Sequence, residues 1–74
     1  MTALMETAYK AIQRIQQADG MGAAMWELSE ETEICSSILR GVVAQLIACE
    51  LVYSDQWETP TGPSEVLFYA YSEE

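Results

Sequence analysis

The sequence predicts a single α+β domain in which three helices lead into a two-stranded β-hairpin. Three observations predict it. Apolar residues recur at helical spacing up to about Glu50. The pattern then turns extended, with two runs rich in aromatic and β-branched residues. Between those runs stands a dense turn signal, Thr59, Pro60, Thr61, Gly62 and Pro63. The chain has 74 residues, enough for one domain, residues 1–74, with no repeat or linker that would divide it. A chain of this size buries about 60% of the surface its unfolded form exposes, so the core must be small.

The first helix is expected over residues 2–18. Leu4, Met5, Ala8, Ala11, Ile12 and Ile15 fall on one stripe, and Glu6 and Lys10 make an i,i+4 pair on the other side. Asp19 and Gly20 end it, with Gly20 suited to a left-handed C′ position. The second helix is expected over 21–30, with contacts from Ala23, Ala24, Met25, Trp26 and Leu28. Thr32 is a plausible N-cap for the third, expected over 33–50, with Glu33 in its first turn. Its core stripe is Leu39, Val43, Leu46 and Ile47, widened by Ile34, Ile38 and Val42. Gly41 in its middle costs about 1 kcal/mol relative to alanine, and either a close backbone approach or simple tolerance accounts for it. The hairpin is expected over 51–72.

Composition narrows the function classes. Twelve acidic residues face three basic ones, Lys10, Arg14 and Arg40, for a net charge of −9. Binding to a nucleic-acid backbone needs several Lys or Arg groups to displace counterions, so direct DNA binding is disfavoured. The charge is either a solubility device or a surface that meets a basic partner. No apolar run approaches the roughly 18 residues of a membrane span, and the N-terminus has neither an early base nor an apolar segment, so no secretory signal or membrane association is expected. Cys35 and Cys49 lie fourteen positions apart. On one helix they would stand about 21 Å apart, too far to bridge. Buried, inert thiols in a reducing, cytoplasmic setting are the expectation. Histidine is absent, which removes a Cys/His zinc site. No phosphate-binding glycine loop, nucleophile–base pair or acid/base spacing is evident. A non-enzymatic protein with no metal or cofactor is expected.

The element order resembles that of the winged helix-turn-helix family. In that family the third helix shows apolar residues at i, i+4 and i+7, followed by a leucine-valine pair that enters the wing. Here these are Leu39, Val43, Leu46 and then Leu51-Val52. The family usually has a glycine before that pair, where this chain has Glu50, and the turn before the third helix is longer and more acidic than usual. The resemblance implies a three-helix winged helix-turn-helix domain whose C-terminal hairpin is the wing. Such domains bind proteins as well as DNA.

Two clusters are candidate partner-binding residues. Glu27, Glu30, Glu31 and Glu33 crowd the second helix and the turn after it, where they would repel a duplex. They are either a solvated turn or a docking surface for a basic partner. Trp57, Tyr69 and Tyr71, with Tyr53, gather on the hairpin. Val66, Phe68 and Ala70 share one face of its second strand and Leu67, Tyr69 and Tyr71 the other, so one row is partly exposed. These rings are ordinary cross-strand pairs or interface anchors. The third helix offers a base reader only Arg40 and Gln45; Ser36, Ser37, Ala44 and Ala48 make the rest of its surface look like a packing face.

The function expected is a protein-interaction module whose acidic surface binds a basic partner, with nucleic-acid-binding proteins among the candidates. Size and charge resemble the small regulators and inhibitors of bacteriophages and mobile elements, among them antirepressors, anti-CRISPR proteins and nucleic-acid mimics. The alternatives are a homodimeric winged-helix transcription regulator that holds DNA through Arg40, Lys10, Arg14 and the wing, and an adaptor subunit of a larger assembly.

Overall fold

The computed structural model describes residues 2–58, 60–62 and 65–71. In chain order they form α1 (Ala3–Asp19), β1 (Ala23–Ala24), α2 (Met25–Thr32), α3 (Ser36–Ala48), β2 (Val52–Trp57) and β3 (Glu65–Ala70). The fold is a small α+β architecture of three helices and an antiparallel sheet in the order β1-β3-β2. The sheet has three strands, not the two expected. Thr59, Pro63, Ser64 and Ser72, which the expected hairpin included, lie outside the described residues.

α1 starts at Thr2, whose hydroxyl accepts the Met5 N–H at 3.2 Å. It stops at Gly20, left-handed at φ 71°, whose N–H bonds the Gln16 carbonyl. Glu6 and Lys10 pair at 3.1 Å as their spacing requires. Met5, Ala8, Ala11 and Ile12 are buried, whereas Leu4, placed in the stripe from the sequence, is exposed.

The second helix begins four residues later than its apolar spacing suggests. Gly22 passes so close to β3 that an added Cβ would meet the Phe68 carbonyl oxygen at 2.7 Å. This approach extends the backbone and lets Ala23 pair with Phe68 and Ala24 with Leu67 as β1. Ala24 then serves as the N-cap of α2. Alanine has no side-chain acceptor, so only half of a capping box forms, with Glu27 Oε1 accepting the Ala24 N–H at 3.1 Å.

The third helix is shorter than expected at both ends. Thr32 does not cap it. That hydroxyl donates back to the Leu28 carbonyl at 2.6 Å and accepts from Ile34 N–H, which makes Thr32 the last residue of α2. Glu33 turns left-handed at φ 60°, its N–H bonded to the Ser29 carbonyl, and separates the two helices. Cys35 is the N-cap of α3 and Cys49 its C-cap, so both thiols sit at helix ends and both are exposed. The expectation that they are buried is corrected, because both fall at the ends of α3, away from its buried stripe Leu39, Val42, Val43 and Leu46; both are free.

α3 closes in a Schellman arrangement. Leu51 N–H bonds the Leu46 carbonyl at 3.0 Å and Glu50 N–H the Ile47 carbonyl at 3.0 Å, with Glu50 left-handed at φ 61°. A glycine meets this geometry without strain. For an L-residue such as Glu50 it costs roughly 1–2 kcal/mol. Gly41 has open space around it, with nothing within 4 Å of an added Cβ, so no neighbouring backbone of the chain requires it.

One core joins the layers: Met5, Ala8, Ala11 and Ile12 of α1, Leu28 of α2, Leu39, Val42, Val43 and Leu46 of α3, and Ala23, Val52 and Ala70 of the sheet. Ile38 and Ile47, read as core from the sequence, are exposed on opposite flanks of the buried stripe of α3. β3 is tied to α1 by Gln16, whose Oε1 accepts the Ala70 N–H at 2.9 Å just past the end of β1. No described helix is long and apolar enough to cross a membrane.

Candidate functional surfaces

The four glutamates singled out above are held in different ways. Glu27 is committed to the α2 cap. Glu31 Oε1 holds Arg14 at 3.0 Å across to α1. Glu30 is exposed, and Glu33 lies at the helix end with strained backbone. Their spacing still places Glu27, Glu30 and Glu31 on one side of α2, where with Ile15 and Trp26 they line a recess of about 230 Å³. Among the described residues no three His, Cys, Asp or Glu side chains converge closely enough to hold a metal ion.

The hairpin register settles which aromatic row faces outward. Val52 pairs with Ala70 and Ser54 with Phe68, and this face packs on the helices. Tyr53 pairs with Tyr69, Asp55 with Leu67 and Trp57 with Glu65 on the opposite face. There the Tyr53 and Tyr69 rings stack at 5.2 Å and 10°, and Tyr71 tilts onto Tyr53 at 4.8 Å. Tyr53, Trp57 and Tyr71 remain 39%, 47% and 50% exposed. Tyr53 and Tyr69 are therefore a cross-strand pair, and Tyr53, Trp57 and Tyr71 stay exposed beside it.

Two features are not evident from the sequence. Trp26 is 59% exposed and donates its indole N–H to Glu65 Oε1 at 2.9 Å, a bond across 39 positions. It stands over an open groove of about 800 Å³ between α2, the start of α3 and β3, whose walls include Met25, Trp26, Arg40, Val66 and Phe68. Arg40 makes no ion pair among the described residues, whereas Lys10 and Arg14 each do. The Trp26–Glu65 pair has no local signal. Gly22 had one, a second glycine two positions after the helix-ending Gly20.

Cys35 differs from an ordinary surface thiol. A hydrogen bond with the Ser37 hydroxyl, 3.2 Å away, and secondarily one from the Ile38 backbone N–H, stabilise the thiolate and lower its pKa. Because the thiolate is the nucleophile, the alkylation rate of Cys35 should reach half its maximum at a lower pH than that of an ordinary free cysteine. Iodoacetamide labelling followed by peptide mass spectrometry measures this profile. Ser37→Ala should move it back up; an unchanged profile would exclude the hydroxyl as its cause.

No family model matches the chain, and no curated protein or solved structure matches it significantly.

Proposed function

We propose that the protein is a non-enzymatic, winged-helix-like interaction module, a small regulator or inhibitor that binds a basic partner such as a nucleic-acid-binding protein. The observation that carries this reading is the charge distribution. Twelve carboxylates oppose three bases, and two of those bases are already held by Glu6 and Glu31. A surface so poor in free cations repels phosphate and attracts cationic surfaces at long range. The winged-helix part of the reading is supported by three helices running into a hairpin through Leu51-Val52, with Glu50 in the left-handed backbone that a glycine would adopt most easily.

Fluorescence anisotropy with a labelled duplex tests the reading against its DNA-binding rival. At physiological salt the protein should show no sub-micromolar binding. With purified basic nucleic-acid-binding proteins, it should form a complex whose association slows as salt is added. Tight, salt-sensitive binding to the duplex by the isolated protein would replace this reading with the transcription-regulator one.

A further inference from the structure

The outer face of the hairpin joins aromatic rings to carboxylates and carries no cation. β2 presents Tyr53, Asp55 and Trp57 there, and β3 presents Glu65 and the half-buried Tyr69 opposite them, with Leu67 buried between the two. Tyr71 follows, its N–H bonded to the Leu51 carbonyl at 3.1 Å. From Leu51 to Tyr71 the sequence contains Asp55, Glu58 and Glu65 and neither lysine nor arginine. The row is also fixed in place. Tyr69 rests against Gly22, where an added Cβ would approach its ring to 2.8 Å, and stacks on Tyr53 from the other strand. Glu65 is held through one oxygen by Trp26.

These groups are complementary to one kind of cation. Ring faces carry negative potential and attract a cation placed over them. A guanidinium is planar and weakly hydrated; it stacks on such faces and offers forked N–H donors to a carboxylate. A lysine ammonium is compact and strongly hydrated, and gains less from a ring surface. We infer that the Tyr53–Tyr69–Tyr71 row with Trp57, Asp55 and Glu65 is the docking surface for an arginine-bearing segment of the partner protein. The rings take the guanidinium faces and the carboxylates their edges. This rests on the basic-partner reading above and locates its contact on the hairpin rather than on α2. Because the rings are already ordered, little side-chain entropy is lost on binding.

The test uses two labelled nonapeptides of equal charge, one with arginines spaced by glycine and serine, the other with lysines at the same positions. Anisotropy gives their affinities for the whole protein at about 150 mM salt, an ionic strength at which charges more than about 8 Å apart are screened. The arginine peptide should bind more tightly, by about two- to fivefold for each ring engaged. The double variant Tyr53→Thr/Tyr71→Thr keeps strand-forming residues and should abolish the arginine preference. Glu30→Gln/Glu31→Gln should weaken both peptides equally and leave the preference intact. Amide shift mapping on the wild-type protein gives a readout that does not depend on the variants folding. The arginine peptide should perturb Tyr53, Asp55, Tyr69 and Tyr71. Equal binding of the two peptides, or perturbations confined to the helices, would overturn the assignment of this face while leaving the basic-partner reading in place. Failure of both peptides to bind at all would overturn that reading too.

Discussion

Gly22→Ala should be among the most damaging single-methyl changes in the protein. The added Cβ would lie 2.7 Å from the Phe68 carbonyl oxygen and 2.8 and 2.9 Å from two carbons of the Tyr69 ring. The oxygen belongs to the residue that pairs with Ala23, so it cannot retreat without opening β1 from β3. The ring cannot swing away without leaving its stack on Tyr53. Overpacking of this kind costs about 1–3 kcal/mol, and the absence of a soft neighbour puts this site near the upper end. In a domain of this size a loss of about 3 kcal/mol lowers the melting temperature by roughly 12–24 °C. Gly41→Ala is the matched control. It adds the same methyl in open space within a helix, and should raise stability by about 1 kcal/mol. Thermal melts followed by circular dichroism measure both. If the two variants melt together, the close approach at Gly22 does not exist in solution.

That contrast also marks what sequence reasoning could reach. Helical spacing placed α1 within a residue at each end, because Thr2 and Gly20 are local capping signals that act where they stand. The same reasoning failed at Gly22, because the force that extends Ala23 and Ala24 comes from Phe68, more than forty positions away. It failed again at Thr32, where a residue that suits an N-cap bonds backwards to Leu28 instead. The exposure of Cys35 goes with the later start of α3, which puts the thiol at the helix cap. At the candidate surfaces, strand alternation identified two aromatic rows but not the one facing outward. That depends on which side the helices cover, a choice made by Val52, Phe68 and Ala70 packing into the core. The acidic residues were legible as a count and not as a patch. The cap bond of Glu27 and the ion pair of Glu31 are tertiary or geometric facts that composition does not contain. Reversing all four charges would therefore damage the α2 cap and the Arg14 ion pair as well as the surface, so Glu30 is the cleaner probe of electrostatics.

Leu28→Ala should have the largest effect of any side-chain truncation in α2. Leu28 is fully buried and is the helix's one buried residue. With 8 residues, α2 is far below the length at which a helix holds itself together in water. Its place therefore depends on this anchor, on the half-cap from Glu27 and on the Trp26–Glu65 bond. Truncating a buried leucine to alanine costs about 2–5 kcal/mol. A domain of this size has roughly 4–11 kcal/mol in total, at about 0.05–0.15 per residue. The expected loss of about 3 kcal/mol is thus a large part of the whole, and the urea midpoint should fall steeply. Ile38→Ala is the informative companion. The residue belongs to the same apolar pattern of α3 that includes Leu39, yet its side chain is 50% exposed. Truncating it should cost about 0.5 kcal/mol, the range of ordinary surface substitutions. Equal losses at the two positions would show that Ile38 is covered in solution by something other than the chain's own core. A second copy would be the first explanation to check, because the melting temperature would then rise with protein concentration.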